Sequence, residues 1–263
     1  MSDLRVGSGP QQVIAHRGGS LEGVQNSIST ICGAASSGVD GIETDVRATS
    51  DGVAVLCHDS DLGAMSDCSV PVSQMTWDQV RRVELHDGSN PVRLEEALEA
   101  CPLPFSVDAK EDAVARPLAR AVAACGAQDR VTLATFSHRR MRLLRRLGQF
   151  RTSLTPVEVA RLMAVAAACH DVANARSEAL RRAIFGDAPG VVSAQVPMFA
   201  KGWLPVVTNR FVQVAHAAEL AVQAWTINGQ RDLEDLLGWP ASDERVDGVI
   251  TDEPTLALQI LSK

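Results

Sequence analysis

The stretch Gly41-Ile42-Glu43-Thr44-Asp45-Val46, with the run Val53-Ala54-Val55-Leu56-Cys57-His58 that follows it, decides the fold. Both runs are short, apolar and rich in β-branched residues, which is typical of strands. They are separated by about residues 48–52, too few for the crossover that joins parallel strands. The two runs therefore predict a β-hairpin with Asp51-Gly52 at its tip, and the pairing places His58 near Asp45.

Similar apolar runs recur along the chain and alternate with longer segments whose apolar residues have helical spacing. The strand candidates are residues 13–15, 41–46, 53–58, 105–110, 131–136, 152–155, 191–196, 222–228 and 249–252. The helix candidates are residues 26–37, 76–83, 116–125, 137–147, 157–169, 209–219 and 230–237. This alternation is typical of βα repetition. Once the hairpin is set aside, it predicts a (β/α)8 TIM barrel with a β-hairpin arm after the second strand.

Length and composition limit the classes of protein to consider. The 263 residues are 46% hydrophobic and 22% charged, which suits one barrel domain spanning residues 1–263. The net charge of -7 argues against a nucleic-acid surface, which needs clustered basic residues. Residues 1–12 lack an apolar export segment and no stretch approaches 18 unbroken apolar residues, so we expect a cytoplasmic protein with no membrane span. Six cysteines without a CxxC pair predict reduced, mostly buried thiols.

Charged residues occupy alternate positions on two predicted strands. Glu43 and Asp45 project from one face of their strand, and Asp108 and Lys110 from one face of theirs, so three carboxylates and an ammonium converge inside the barrel. A solvated strand end would explain either pair alone. Buried together, the carboxylates need protonation, a basic partner or a divalent cation. Oxygen ligands favour a hard cation such as Mg2+ or Ca2+ over zinc.

Two histidines stand at strand ends beside this cluster. His16, with Arg17, directly follows strand 13–15, and His58 ends strand 53–58, which places both at the barrel end where catalytic residues gather. A lone histidine is more often structural, but two such residues beside carboxylates favour one as proton acceptor and the other as proton donor. Another basic cluster, on segment 137–147, is expected to be a solvated helix face. Its members are Arg139, Arg140, Arg142, Arg145 and Arg146.

Several ordered motifs resemble the glycerophosphodiester phosphodiesterase family. The N-terminal ones are Val13-Ile14-Ala15-His16-Arg17-Gly18, Gly41-Ile42-Glu43-Thr44-Asp45-Val46 and the run from Asp51 to Asp59. Ala224-Trp225-Thr226-Ile227-Asn228 and the run from Val246 to Pro254 resemble that family's late-strand motifs, so the resemblance extends from about residue 13 to residue 258.

The resemblance implies a role for each of eight residues. Glu43, Asp45 and Asp108 would ligate a divalent cation, Mg2+ or Ca2+. His16 and His58 would be the catalytic acid and base. Arg17 and Lys110 would hold the phosphate, and Trp225 would line the alcohol pocket, with core packing as its equal alternative.

At three places the chain departs from the family pattern, and these departures bear on the roles that the resemblance implies. Val24-Gln25-Asn26-Ser27 stands where the family usually has Pro-Glu-Asn-Thr, so a neutral amide replaces an acid. Asp108 stands where the family usually has Glu in a Glu-x-Lys pattern. Asp61-Leu62-Gly63-Ala64-Met65-Ser66 stands where an Asp-Arg-Thr-Thr-like run is common. The segment from there to Leu94 is short, so we expect only a small cover over the site.

The sequence thus predicts a phosphoric diester hydrolase of lipid metabolism, which cleaves glycerophosphodiesters to a glycerol phosphate and an alcohol with a metal and two histidines. Its partner would be a small-molecule phosphodiester, attacked by water or by the neighbouring glycerol hydroxyl. One alternative is a barrel that has lost turnover and binds a phosphorylated metabolite, although a binder would not need paired proton-transfer groups. Another is a lysophospholipase D-type relative, which would need an apolar lip or interfacial helix, and the sequence shows no clear candidate for one.

Overall fold

Eight parallel strands close into a barrel surrounded by helices in the computed structural model, which describes residues 10–169, 171–237 and 245–262. The strands are β1 (Gln12–His16), β2 (Gly41–Ala48), β3 (Ala54–Leu56), β4 (Phe105–Ala109), β5 (Val131–Ala134), β6 (Arg151–Ser153), β7 (Val191–Pro197), β8 (Phe199–Ala200), β9 (Leu204–Pro205), β10 (Ala221–Trp225) and β11 (Gly248–Thr251). β1 pairs in parallel with both β2 and β11, which closes the barrel. This confirms the predicted (β/α)8 architecture.

Ten α-helices are present in the same ranges. They are α1 (Ile28–Ser37), α2 (Trp77–Val80), α3 (Leu94–Ala100), α4 (Ala115–Ala124), α5 (His138–Leu147), α6 (Pro156–Ala168), α7 (Ser177–Phe185), α8 (Asn209–Ala217), α9 (Gln230–Leu237) and α10 (Pro254–Leu261). α1 shows how the sequence sets their ends. It begins after Ser27, whose hydroxyl accepts the Thr30 N–H at 3.2 Å, and ends at Gly38 in the left-handed region. Its buried Ile31 packs in the main core between the strands and the helices.

The predicted hairpin arm is present. β3 pairs antiparallel with β2 and places Val46 opposite Leu56, and the Cys57 N–H donates to the Asp45 carbonyl oxygen at 2.9 Å. His58 therefore lies one residue beyond the position opposite Asp45. The segment that follows has its own small hydrophobic cluster, which includes Leu62 and Met65. The short insertion is thus a packed unit on the arm.

A polar ladder crosses the barrel interior at the N-terminal end of the strands. Ser106 is hydrogen-bonded to Gln195, whose Nε2 donates to Gln223 Oε1 at 2.9 Å, and Gln223 Nε2 donates to Gln12 Oε1 at 3.4 Å. These residues border a cavity of about 290 Å³ together with the buried Ser193. The ladder links four strands through hydrogen bonds between its own side chains. These buried polar groups therefore have hydrogen-bond partners without any ionised residue nearby in the ladder.

Several expectations about individual side chains were wrong. The arginines of α5 do not all form a solvated face, because Arg145 is only 9% exposed and its Nη1 lies 2.6 Å from Glu158 Oε1 on α6. Arg140 Nη1 also turns inward and donates to the Ala109 carbonyl oxygen. The thiols are less buried than expected, since only Cys57 and Cys101 are fully buried and the other four are partly exposed.

The sequence also left some elements unpredicted. These are α3, α7, α10 and the two-stranded β8–β9 sheet. Residues 1–9 of the polar N-terminus, and His170, to which no role was given, lie outside the described residues. Within the described ranges, no helix combines the length and apolar character needed to cross a membrane.

Candidate active site

The first loop of the site is a sharp turn directly after β1. Arg17, Gly18 and Gly19 have φ angles of 52°, 83° and 101°, a run of left-handed conformations that favours glycine. A Cβ on Gly19 would also lie 2.9 Å from Cγ of Pro254. The turn places the Arg17 N–H 3.3 Å from Glu43 Oε2, where it donates a hydrogen bond to a side chain of β2.

His16 is held by a carboxylate from the last strand. Its Nδ1 lies 2.6 Å from Asp252 Oδ1, just after β11, and its Nε2 lies 3.7 Å from Glu43 Oε2. Asp252 also accepts hydrogen bonds from the Ser20 hydroxyl and, at 2.7 Å, from Asn228 Nδ2. Burial acts to raise the pKa of Asp252, but these donors outweigh it and lower the pKa to about 2. An ionised Asp252 fixes the Nδ1–H tautomer of His16 and leaves Nε2 as the proton acceptor.

The predicted acidic cluster is assembled by strand register. β2 and β4 pair with Asp45 directly opposite Asp108. The Lys110 Nζ atom lies 2.8 Å from Asp45 Oδ1 and 2.8 Å from Asp108 Oδ2. On the other side, Arg17 Nε lies 3.1 Å from Asp45 Oδ2. The two strands and the turn after β1 thus bring three carboxylates and two permanent cations into one network, with Glu43 completing it.

Burial and like charge dominate the electrostatics of this network. Burial raises the pKa of Glu43 well above its usual value, and the Asp45 and Asp108 carboxylates raise it further. Burial also raises the pKa of Asp108, against the opposing effect of Lys110. Burial would lower the pKa of Lys110, but the two aspartates outweigh it and raise that pKa instead. With all three carboxylates ionised, the two cations leave one negative charge, and a further cation nearby would favour that ionised state.

The donor chemistry of the network fits a hard divalent cation. Asp108 Oδ1 is buried without a hydrogen-bond partner, and carboxylate oxygens are the ligands that Mg2+ and Ca2+ prefer. In the described part of the chain, no group of three or more His, Cys, Asp and Glu side chains stands arranged to hold a metal ion. The Lys110 ammonium bridges Asp45 and Asp108 instead.

Two of the predicted site residues, His58 and Trp225, have no described side-chain contact with the network. His58 Nδ1 lies 2.9 Å from Asp59 Oδ1, and the imidazole is 33% exposed, so its ring faces solvent. Trp225 ends β10, and its ring meets Phe136 edge to face with centroids 5.8 Å apart. Both stand at the C-terminal end of the barrel, with the other six predicted residues. Their roles stay predictions.

The structure adds contacts that the sequence did not assign. Asp252 lay in a quoted motif without a role, although a closed barrel pairs the last strand with the first and so places its end beside His16. Gln25, the neutral replacement for an acid, accepts from Arg17 Nη1 at 2.7 Å. Its described contact is therefore with the guanidinium.

The comparisons with known proteins agree with this geometry. Residues 16–256 match the model of the glycerophosphoryl diester phosphodiesterase family. A probable glycerophosphodiester phosphodiesterase 2 from Mycobacterium tuberculosis is 34% identical over 255 residues, which cover 96% of this chain and 91% of the relative. A glycerophosphodiester phosphodiesterase from Bacillus altitudinis is 24% identical over 95% of this chain and 97% of its own.

Solved structures share the fold. An Oleispira antarctica phosphodiesterase in complex with the product sn-glycerol-3-phosphate superimposes with a TM-score of 0.73 at 17% identity, covering 97% of this chain and 98% of that one. A putative glycerophosphoryl diester phosphodiesterase from Silicibacter pomeroyi gives a TM-score of 0.74 at 20% identity, covering 98% and 95%. The chain therefore belongs to the glycerophosphoryl diester phosphodiesterase family and is a phosphoric diester hydrolase that acts on glycerophosphodiesters.

Proposed function

We propose that this chain, as one barrel domain spanning residues 1–263, hydrolyses glycerophosphodiesters to a glycerol phosphate and a free alcohol by metal-assisted acid–base catalysis. The observation that carries the proposal is that His16 is held between Asp252 and Glu43. An ionised Asp252 holds its Nδ1 while its Nε2 faces the buried network that contains Glu43. Phosphodiester cleavage needs a proton acceptor for the attacking group and cations that stabilise the phosphoryl oxygens, and this arrangement places both kinds of group side by side.

The bond changes follow from these positions. One histidine removes a proton from the attacking oxygen, which belongs to water or to the neighbouring glycerol hydroxyl and forms a bond to phosphorus; when the glycerol hydroxyl attacks, water then opens the resulting cyclic phosphate to the glycerol phosphate. The bond between phosphorus and the leaving alcohol breaks, and the other histidine donates a proton to that alcohol oxygen. Arg17 and Lys110 neutralise the phosphoryl oxygens, usually the largest catalytic contribution. His16 suits the acceptor role because Asp252 fixes its tautomer, and the exposed ring of His58 suits exchange with solvent.

Glu43, Asp45 and Asp108 would hold a divalent cation, Mg2+ or Ca2+. Members of the family are generally dependent on a divalent metal. When bound, the cation polarises the phosphoryl oxygens and offsets the remaining negative charge of the network. Gln25 accepts a hydrogen bond from Arg17, and because its side chain is a neutral amide, the cation would have three carboxylates as ligands. Trp225, with Phe136, would form the apolar wall for the leaving alcohol. The bound sn-glycerol-3-phosphate of the Oleispira antarctica structure is the product class that this assignment expects.

The alternative of a barrel without turnover rests on three departures from the family pattern, which are the run at residues 61–66 and the two residues Gln25 and Asp108. Both residues nevertheless take part in the network, Gln25 through Arg17 and Asp108 through Lys110. The shorter Asp108 side chain still reaches the ammonium at 2.8 Å. The geometry therefore favours turnover.

Product analysis tests the proposal. Purified protein is incubated with a panel of water-soluble glycerophosphodiesters, first as prepared, then after exhaustive chelation and dialysis, and finally with Mg2+ or Ca2+ restored. We expect a glycerol phosphate and the free alcohol, loss of both after chelation, and recovery with one of the two ions. Full activity after chelation would remove the metal from the mechanism. Tight binding of glycerol phosphate with no turnover under any condition would favour the binding alternative.

A further inference from the structure

The hairpin of residues 199–205 supplies an apolar lip that the sequence did not reveal. β8 and β9 pair antiparallel, with Phe199 opposite Pro205 and Ala200 opposite Leu204. The turn between them passes through Lys201 and Gly202 in left-handed conformations, with φ angles of 53° and 76°. This lip is therefore an ordered hairpin with a defined tip.

The lip carries large apolar side chains into solvent. Trp203 is 71% exposed, Phe199 is 52% exposed, and Leu204 is exposed as well. Scattered exposed apolar residues are normal on a protein surface, but here three lie within six residues of one hairpin, with Phe199 and Leu204 on opposite faces of its two strands. Among the described residues, none of these three side chains belongs to the main core or packs against it, so they are available to a binding partner.

The lip stands at the catalytic end of the barrel. β7 ends at Pro197, two residues before the lip begins, and Pro197 lies opposite Trp225 in the pairing of β7 with β10. The Trp225 ring in turn contacts the exposed Phe136. The lip therefore follows directly on a strand end that neighbours Trp225, while its own side chains have no described contact with the site.

Charge favours a phospholipid surface over an acidic or basic partner protein. The chain has 32 acidic residues, yet none occurs from residue 188 to residue 218, which includes the whole lip. The single charge on the lip is Lys201 at its tip, between aromatic residues on both sides. Aromatic side chains with a neighbouring lysine are typical of segments that sit at a lipid–water boundary. The net charge of -7 makes a zwitterionic surface the suitable one.

We propose that the lip seats on a zwitterionic phospholipid surface, with Phe199, Trp203 and Leu204 at the boundary between head groups and acyl chains. The active site then faces that surface and receives phosphodiesters presented by lipids. The binding part of this inference stands on the lip alone, whereas the delivery of lipid substrates rests on the proposed function.

Vesicle binding of the full chain tests the inference. Phosphatidylcholine vesicles are sedimented with wild-type protein, with the double variant Phe199→Ser/Trp203→Ser, and with Leu261→Ser as control. Leu261 is also an exposed leucine, but it ends α10 at the opposite end of the barrel. Wild type and control should sediment with the vesicles. The double variant should partition at least about tenfold less, because each buried large side chain contributes roughly one factor of ten.

Further measurements separate the possible outcomes. Brominated phosphatidylcholine should quench part of the tryptophan fluorescence of wild type and not of Trp203→Ser. Circular dichroism and hydrolysis of a water-soluble glycerophosphodiester should match wild type in the double variant, in Trp203→Ser and in Leu261→Ser. If the double variant does not fold, Trp203→Ser alone and the tip variant Lys201→Glu serve instead.

Two kinds of result would overturn the inference. One is absence of wild-type binding, or binding that the lip variants leave unchanged. The other is a lipid-free dimer, detected by analytical ultracentrifugation and abolished by Trp203→Ser, which would make a second copy of the chain the occupant. Vesicle binding without hydrolysis of soluble diesters would count against the proposed function and leave the lip inference intact.

Discussion

Replacing Asp252 by asparagine tests how the site prepares His16. The carboxylate receives His16 Nδ1 at 2.6 Å, the Ser20 hydroxyl and Asn228 Nδ2. Asparagine keeps the size of the side chain and removes the charge. It also offers an NH2 group that would face the imidazole or its other donors, so the ring is no longer restricted to the Nδ1–H tautomer. The variant should therefore fold and lose most of its turnover.

The magnitude follows from the pKa of Asp252. A fall from the usual 3.8 to about 2 corresponds to about 2 kcal/mol of stabilisation of the charged form. Because the folded-state pKa lies below the unfolded one, this stabilisation is present above about pH 4 and is lost as pH falls towards 2. Asp252→Asn should thus unfold with about 2 kcal/mol less free energy at pH 7, and the difference should shrink in acid. For turnover we expect kcat to fall roughly 100-fold or more.

Steady-state kinetics and urea unfolding measure both effects. KM should change little, because Asp252 acts through His16 and has no described contact with Arg17 or Lys110. Asp252→Glu should recover part of kcat by restoring a charged acceptor, and Asp59→Asn, at the more exposed His58 pair, is the matched control with a smaller effect on stability. A folded Asp252→Asn variant with wild-type kcat would show that the carboxylate does not position His16.

Five further variants probe the rest of the molecule. His16→Ala and His58→Ala should each lower kcat about 100-fold or more with unchanged circular dichroism; near-normal kcat on a diester with a poor leaving group would make that histidine structural. Gln25→Glu should raise KM about threefold or more, since a carboxylate would compete with phosphate for the guanidinium it contacts, and calorimetry should show little change in metal affinity. Arg145→Met should cost roughly 3 kcal/mol in urea unfolding by leaving a buried carboxylate unpaired, whereas the exposed Arg146→Met should cost under about 0.5 kcal/mol.

The barrel and the position of its acidic network could be predicted because they depend on local pattern. Alternation along β2 and β4 places Glu43, Asp45 and Asp108 inside, whatever the surroundings, and a gap of a few residues allows only the β2–β3 hairpin. The helices α3 and α7 were missed because they have only seven and nine residues, which give few repeats of the helical spacing. The two-residue strands of the lip are too brief for any periodicity to appear.

Contacts between distant parts of the chain were beyond reach of local pattern. Nothing in the arginine-rich segment distinguishes Arg145 from Arg146, yet helix packing buries the first against Glu158 and leaves the second in solvent. Asp252 lies beside His16 only because the barrel closes, which pairs β11 with β1. The same is true of Gln25, whose partner depends on the left-handed turn at Arg17.

The bond between His16 and Asp252 joins residues that are 236 positions apart in sequence. During synthesis, His16 leaves the ribosome long before its partner exists, so β11 can dock on β1 only after the whole intervening chain has been made. Any chain that stops, frays or swaps its last strand would keep most of its core and still lack an oriented imidazole. Under the role proposed for His16, turnover therefore requires that β11 has docked on β1, and partly folded molecules would not hydrolyse phosphodiesters.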